Sequence, residues 1–108
     1  MGSMSDGQDQ IAIDVSADPD GSPVVVLSGE LDFATAPVAE ASLAPILERS
    51  PERLVFDLTA VSFLDSSGIA VLVRSAHAAG TVAIRNPSTV VRRVIECTGL
   101  EETLRIEP

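Results

Sequence analysis

Apolar residues occupy every second position over Ile11–Val15, at the start of the folded part of the sequence. This period of two predicts a strand with one buried face. The segment 18–21, Asp-Pro-Asp-Gly, has turn chemistry, because Pro presets φ at the second position and Gly accepts a positive φ. The apolar run over 23–28 then predicts a partner strand, and the two strands form a hairpin that ends at Gly29.

A first helix is predicted after a loop over 30–34. Thr35 is a good N-cap, and Pro37 suits the first turn, where its missing N–H removes no hydrogen bond. Pro45 is expected to kink or interrupt this helix, because an interior proline removes one backbone hydrogen bond.

Two later segments have apolar residues at helical spacing. The second helix is predicted from 67 or 68 to 79, with Gly80 as its C′ residue. Ser88 is the predicted N-cap of a third helix, which Gly99 closes. The residues that form the predicted core-facing stripes are Ile69, Leu72, Val73 and Ala76 in the second helix and Val90, Val91, Val94 and Ile95 in the third.

Three further strands complete the pattern. The run over 53–58 is nearly all apolar, which is typical of a central strand covered on both faces, and 59–65 is predicted to be a loop. Residues 81–85 and Leu104–Ile106 supply two more strands. The order ββαβαβαβ predicts a single α/β domain over 9–108, with a mixed, mostly parallel sheet, crossover helices and the N-terminal hairpin at one side.

The first eight residues lie outside this predicted domain. Met1-Gly2-Ser3-Met4 resembles the remnant of an expression tag ahead of a native Met4. The polar residues that follow, through Gln8, are predicted to be disordered. We therefore base no functional argument on residues 1–8.

Charge and hydropathy exclude several classes of partner. The 108 residues carry 16 acidic and seven basic side chains, for a net charge of −9, and every basic residue is Arg. Nucleic acids and anionic membranes need a basic surface, so neither is an expected partner. The longest purely aliphatic run, Ile69–Val73, is far shorter than the roughly 20 residues that span a bilayer. No signal peptide opens the sequence, and we expect a cytoplasmic protein.

The sequence lacks the signatures of common enzyme classes. It has no Gly-rich phosphate loop and no Lys to serve one. Its single His, His77, is expected to be exposed near the end of the second helix, and its single Cys, Cys97, to be packed in the third helix rather than reactive. The chain has no cluster of His, Cys or carboxylates at ligand spacing. These observations predict a protein without catalytic activity, cofactor or metal.

The segment Asp65-Ser66-Ser67-Gly68 stands where a loop meets the predicted second helix. One interpretation is capping, in which Asp65 or Ser66 accepts a backbone N–H and Gly68 permits a close turn. The other is a phosphorylation site, since a helix N-terminus stabilises negative charge. A phosphate there would add about −1.5 to −2 charges beside Asp65 and change binding without unfolding the domain. The residues alone leave both interpretations open.

An ordered set of motifs in this sequence resembles the STAS-domain family, specifically the bacterial anti-sigma factor antagonists. Asp-Ser-Ser-Gly alone is a weak signal, but the ordered set is specific and extends over residues 10–107. Its motifs are Gly29-Glu30-Leu31-Asp32, Asp57-Leu58, Phe63-Leu64-Asp65-Ser66-Ser67-Gly68 with its aliphatic helix, Asn86-Pro87-Ser88 and Thr98-Gly99-Leu100. Many members continue into a fourth helix, whereas this sequence stops at Pro108, so some packing surface is expected to be missing or supplied by a partner.

The resemblance implies a partner-switching function. Members bind an anti-sigma factor, a small serine kinase of the histidine-kinase ATPase superfamily, and so release a sigma factor for transcription. Transferred residue by residue, Ser66 is the phosphate acceptor that turns the antagonist off, with Ser67 as the alternative, and a metal-dependent serine phosphatase restores it. ATP belongs to the partner. Asp32 is implied to lie near the acceptor loop and to contribute to the partner contact.

The predicted partner surface combines these transferred residues with one that follows from the helical stripe. Val71 is included because the predicted core stripe leaves it on the outer side of the second helix. The full predicted set is Asp32, Asp65, Ser66, Ser67, Gly68 and Val71. A rival hypothesis is a STAS domain that serves as a non-switching accessory or ligand-binding module of a transport or signalling scaffold complex. The intact Asp-Ser-Ser-Gly segment favours the antagonist.

Overall fold

The computed structural model describes residues 11–107, so the predictions for residues 1–8 lie outside the described residues. The order of strands and helices is the predicted ββαβαβαβ. The elements are β1 (Ile11–Ala17), β2 (Pro23–Leu31), α1 (Ala36–Leu47), β3 (Arg53–Leu64), α2 (Ser66–Ala78), β4 (Thr81–Arg85), α3 (Thr89–Thr98) and β5 (Leu104–Ile106).

The five strands form one sheet in sequential order, β1-β2-β3-β4-β5. β1 pairs with β2 antiparallel, and the other three pairs are parallel, as predicted. Parallel strands are joined by right-handed crossovers, so strands in sequential order place every connecting helix on the same face of the sheet. Buried residues of all three helices accordingly join one core with residues such as Leu27, Phe56 and Ile84.

Residues 11–107 place no helix on the opposite face of the sheet, yet β3 is buried on both faces over Leu54–Phe56, as predicted. A second, smaller apolar cluster lies there and consists of Val24, Val55 and Ala83, with Val26 packed against it. Val55 is nevertheless fully buried. Its burial comes from neighbouring side chains on the sheet rather than from a second layer of helices.

Both central strands are longer than the sequence pattern predicts. β2 ends at Leu31 rather than at Gly29, and β3 runs through the predicted loop over 59–65 as far as Leu64. Leu31 pairs with Leu64 after two register shifts between the strands. The hydrogen bonds between paired strands are made by the backbone. Pairing therefore continues through residues whose side chains are exposed and show no regular apolar pattern.

The prediction that Pro45 interrupts the first helix is wrong. α1 runs unbroken to Leu47, with Pro45 two residues before its end. The missing N–H of a proline removes only the bond to the residue four positions earlier, Ala41, and the proline ring is exposed. The cost is therefore limited to the last turn.

Gly80 is the C′ residue of α2, as predicted, but it does not close the helix with a positive φ. α2 ends at Ala78, and Ala79 already has extended geometry, with φ −103° and ψ 168°. A Cβ atom at position 80 would lie 2.4 Å from the carbonyl oxygen of Glu52. Gly80 is required because the chain passes close to the backbone that leads into β3.

The third helix buries fewer residues than its apolar pattern predicts. Ser88 caps it, its side chain accepting from the N–H of Val91 at 3.1 Å, and Gly99 closes it with φ 73°, both as predicted. Val91 and Ile95 are buried, but Val90 is 60% exposed. Cys97 is also exposed, so the prediction that it is packed is wrong. With helices on one face of the sheet only, a single narrow stripe of α3 reaches the core.

An ion-pair network lies on the helix-free face. The carboxylate of Asp18, in the β1–β2 turn, accepts hydrogen bonds from Arg53 at 3.0 Å and from Arg85 at 3.0 and 3.1 Å. Glu107 contacts both arginines as well. The hydrogen bonds from Arg85 and then from Arg53 lower the pKa of Asp18 from 3.8 to about 2. The network thus joins the hairpin turn, the start of β3, the end of β4 and the segment after β5.

The network predicts a pH-dependent contribution of Asp18 to stability. Because its folded pKa of about 2 lies below the ordinary 3.8, the stabilisation is complete above that value and is lost as the pH falls toward 2. We expect Asp18→Asn to lower the thermal unfolding midpoint at neutral pH, and the difference from wild type to shrink through this window in calorimetric scans.

Asp14→Asn is the matched control. It removes an exposed carboxylate of β1 that forms no ion pair with any residue between 11 and 107. Its midpoint should differ little from wild type at any pH. A difference between wild type and Asp18→Asn that stays constant down to about pH 2 would contradict the role of Asp18.

Candidate functional site

The predicted switch residues lie at the carboxyl edge of two parallel strands. Leu31 and Leu64 are the last residues of β2 and β3 and pair with each other. Asp32 and Asp65 follow them directly, so the loop that enters α1 and the loop that enters α2 start side by side. The carboxyl ends of parallel strands are where open α/β sheets place their binding sites.

Asp65 joins the two loops and caps α2. One carboxylate oxygen, Oδ1, accepts a hydrogen bond from the backbone N–H of Gly68 at 3.0 Å, and the other, Oδ2, accepts one from Phe33 at 3.2 Å. The backbone N–H of Asp65 donates to the carbonyl of Leu31 at 3.4 Å. Asp65 is therefore the N-cap that the sequence suggested, and α2 begins at Ser66, ahead of the predicted start.

Asp32 and Thr35 hold the neighbouring loop through a reciprocal pair of hydrogen bonds. Asp32 Oδ1 accepts from the backbone N–H of Thr35 at 3.0 Å, and Thr35 Oγ1 accepts from the backbone N–H of Asp32 at 2.9 Å. Thr35 Oγ1 also donates to the carbonyl of Glu30 at 2.8 Å. Thr35 is the N-cap residue of α1, as predicted, but its side chain makes no cap hydrogen bond, because the hydroxyl serves this loop instead. The arrangement is a capping box with Asp first and Thr last.

Gly68 is required by the close approach of two elements. A Cβ atom at this position would lie 2.4 Å from the carbonyl oxygen of Leu31 and 2.5 Å from the Leu64 side chain. The first turn of α2 therefore rests directly on the ends of β2 and β3. This contact fixes the position of Ser66 relative to the Asp32 loop.

The two serines differ in accessibility. Ser66 is exposed and is the first residue of α2, whereas Ser67 is half-buried. Neither hydroxyl is used as the N-cap of α2, because Asp65 supplies the cap. The accessible hydroxyl of the pair is that of Ser66.

The prediction that Val71 is an exposed partner contact is wrong. Val71 is 1% exposed and belongs to the main core. α2 packs against α1 as well as against the sheet, so the stripe that it buries is rotated from the predicted one. Its buried residues are Gly68, Ile69, Val71, Leu72 and Ser75, and the predicted core residues Val73 and Ala76 are half-buried.

Two exposed phenylalanines flank the site and were missed by the sequence analysis. Phe33 follows Asp32 and is 81% exposed, although its backbone N–H is held by Asp65. Phe63, near the end of β3, is 45% exposed. Their positions in the sequence could have indicated them, because two of its three phenylalanines lie within two residues of the predicted site residues Asp32 and Asp65.

Other chemistry-bearing residues lie away from the loop edge. His77 is exposed in the last turn of α2, as predicted. Within residues 11–107, no three His, Cys, Asp or Glu side chains come close enough to hold a metal ion. No helix in the described part of the chain is long and apolar enough to cross a membrane.

The close contact at Gly68 predicts an inverted response to a common substitution. In an ordinary helix, Gly→Ala stabilises by about 1 kcal/mol. Here the added methyl meets the Leu31 backbone, so we expect Gly68→Ala to lower the free energy of unfolding, measured in urea, by about 1–3 kcal/mol. Ser67→Ala in the same turn is the control and should stay within about 0.5 kcal/mol of wild type. A stabilised Gly68→Ala variant would contradict the close contact.

Comparison with known proteins gives a consistent family assignment. The STAS domain model matches residues 12–108. The anti-sigma-F factor antagonist RsfB of Mycobacterium tuberculosis is 34% identical over 101 residues, which cover 91% of this chain and 82% of RsfB. The anti-sigma-B factor antagonist of Bacillus subtilis is 30% identical over 76% of this chain and 78% of its own length. The crystal structure of an anti-sigma factor antagonist from Mycobacterium paratuberculosis superposes with a TM-score of 0.82 and 37% identity, over 93% of this chain and 87% of that one.

The fold comparison and the sequence matches agree with the ordered motifs around Asp32 and Asp65. The family model covers every described strand and helix from residue 12 onward. The chain belongs to the STAS domain family.

Proposed function

We propose that this protein is an anti-sigma factor antagonist controlled by phosphorylation of Ser66. It binds an anti-sigma factor that is a serine kinase of the histidine-kinase ATPase superfamily, and binding releases a sigma factor. A metal-dependent serine phosphatase reverses the modification. The observation that carries the proposal is an exposed Ser66 hydroxyl on a loop edge held in place by Asp65 and Gly68. The names of the relatives from Mycobacterium tuberculosis and Bacillus subtilis support the same function.

Phosphorylation at this position is compatible with the fold. The Ser66 hydroxyl attacks the γ-phosphorus of ATP held by the partner; the new O–P bond replaces the bond to the β-phosphate, ADP leaves, and the hydroxyl proton passes to a base of the kinase. Asp65 supplies the N-cap of α2, so the Ser66 oxygen is free to be modified. The protein itself acts as a substrate and a binding module, without catalysis.

The proposed partner surface centres on Ser66 and the Asp32 loop. Asp32 and Asp65 contribute mainly by holding the two loops together, and Ser67 and Gly68 by shaping the first turn of α2. Phe33 adds an exposed aromatic side chain beside them. An aromatic anchor surrounded by polar groups is a common feature of interaction hot spots. A phosphate on Ser66 would then oppose binding through its bulk, its hydration and its charge beside Asp65.

A negative charge at position 66 should reproduce the weak binding of the phosphorylated state, and a neutral side chain the binding of the unphosphorylated state. We expect Ser66→Glu to weaken binding to the anti-sigma factor by about tenfold to a hundredfold, or about 1.4–2.7 kcal/mol, in calorimetry. Ser66→Ala should bind like wild type and accept no phosphate. The partner is identified beforehand by mass spectrometry of proteins retained by wild type from a lysate of the source cell.

Ser42→Glu places the same charge on an exposed position of α1 and is the control. It should bind like wild type. Equal affinities of Ser66→Glu and wild type would overturn the switch. If wild type and Ser66→Glu retained the same transport or scaffold proteins from the lysate, and no anti-sigma factor, the accessory-module hypothesis would be favoured instead.

Phe33 provides a test of the surface that does not depend on phosphorylation. We expect Phe33→Ser to weaken binding of the anti-sigma factor by at least about tenfold, because the partner would lose a buried aromatic contact. Val90→Ser, an exposed apolar residue 60% accessible on α3, is the control and should bind normally. Both variants should unfold at the wild-type temperature. Wild-type affinity of Phe33→Ser would remove Phe33 from the partner surface.

A further inference from the structure

A groove separates the first turn of α2 from α3 and opens beside Ser66. Its volume is about 410 Å³, and its lining residues are Ser66 and Ile69 of α2 with Arg93, Val94, Cys97 and Thr98 of α3. The lining contains one positive charge and no carboxylate. The Thr98 hydroxyl already donates to the carbonyl of Ile95 at 2.6 Å, which leaves Arg93 as the strong donor of the groove.

Arg93 is distinguished from the other arginines by its surroundings. It is exposed and, like Arg49, Arg92 and Arg105, forms no ion pair with any residue between 11 and 107, and it is the one of these four that lines the groove beside Ser66. Its neighbour Arg92 lies in a different groove of α3. That second groove is lined by Glu96, Glu101, Glu102, Arg105 and Ile106. Arg92 therefore lies in a groove that contains three carboxylates, whereas the groove of Arg93 contains none.

We propose that Arg93 binds the phosphate of phosphorylated Ser66, so that the groove between α2 and α3 is an intramolecular phosphate site. A guanidinium presents a planar set of N–H donors that matches two phosphate oxygens at once. Ile69 and Val94 form the apolar wall of the groove, and no carboxylate of its lining competes with a phosphate for Arg93. The nearby anion, Asp65, has both carboxylate oxygens engaged by backbone N–H groups and does not compete for Arg93.

This inference rests on the proposed function, because it assigns a partner to the phosphate of the same residue. It adds a defined geometry for the phosphorylated state. The modified side chain is turned toward α3 and held there, rather than extending freely into solvent. The switch then includes a residue of α3 that is distant in sequence from the Asp-Ser-Ser-Gly segment.

The test uses the full chain with phosphoserine incorporated at position 66 during translation, so that no kinase is required. The second pKa of the phosphate is followed by phosphorus NMR titration. The charged groups next to the phosphate are Asp65, which precedes Ser66 in the chain, and Arg93, which lines the same groove. We expect Arg93→Ala to raise this pKa by roughly half a pH unit, because a cation that stabilises the dianion has been removed.

Arg92→Ala is the matched control, since it makes the same change of net charge one residue away on the other groove. It should shift the phosphate pKa by less than about 0.1 unit. Arg93→Lys should restore part of the wild-type value, because it keeps the charge without the planar fork. Equal effects of Arg92→Ala and Arg93→Ala, or no effect of either, would overturn the proposal.

The outcome is separable from that of the proposed function. If the kinase fails to phosphorylate Ser66 but the encoded phosphoserine still responds to Arg93, the phosphate site stands and the switch assignment fails. If the kinase phosphorylates Ser66 but Arg93→Ala leaves the phosphate pKa unchanged, the switch stands and the phosphate site fails.

Discussion

The parallel pairing of β2 and β3 to their last residues is the constraint on which the site depends. Because Leu31 pairs with Leu64, the two loops that follow begin at the same edge of the sheet. Asp65 then bonds to both sides of the junction, and Gly68 allows α2 to rest on the Leu31 carbonyl. A shift of one residue in this pairing would turn the side chains of one strand to the opposite face and separate the loops.

Because the connecting helices all lie on one side of the sheet, its two faces are stabilised by different interactions. All three helices pack on one face, so the apolar core is there, and the other face relies on a small valine-rich cluster and the Asp18 network. The switch loops use neither Arg53 nor Arg85. A charge added at Ser66 therefore acts on a part of the surface that the ion-pair network does not stabilise.

Element order, the mostly parallel sheet and a cap of α2 by Asp65 or Ser66 could be predicted from the sequence, because periodicity and capping are local signals. The structure assigns the cap to Asp65. The full length of β3 could not be predicted, since its last residues are held by backbone pairing while several of their side chains are exposed. The prediction that Val71 is exposed was wrong for a related reason. A helical stripe gives the direction of one buried face, but α2 also packs against α1, and that contact depends on the tertiary arrangement.

The same geometry determines which substitutions can report on binding. Asp32, Asp65 and Gly68 each have a structural role, since their hydrogen bonds or close contacts fix the loop edge. If a substitution at any of them weakened binding, distortion of the loop edge and loss of a partner contact would be indistinguishable as the cause. The side chains of Ser66 and Phe33 are exposed and, unlike these three, do not hold the loops together. Recognition by a partner is therefore best resolved at these two positions, one of which can carry the added charge while the other supplies apolar area.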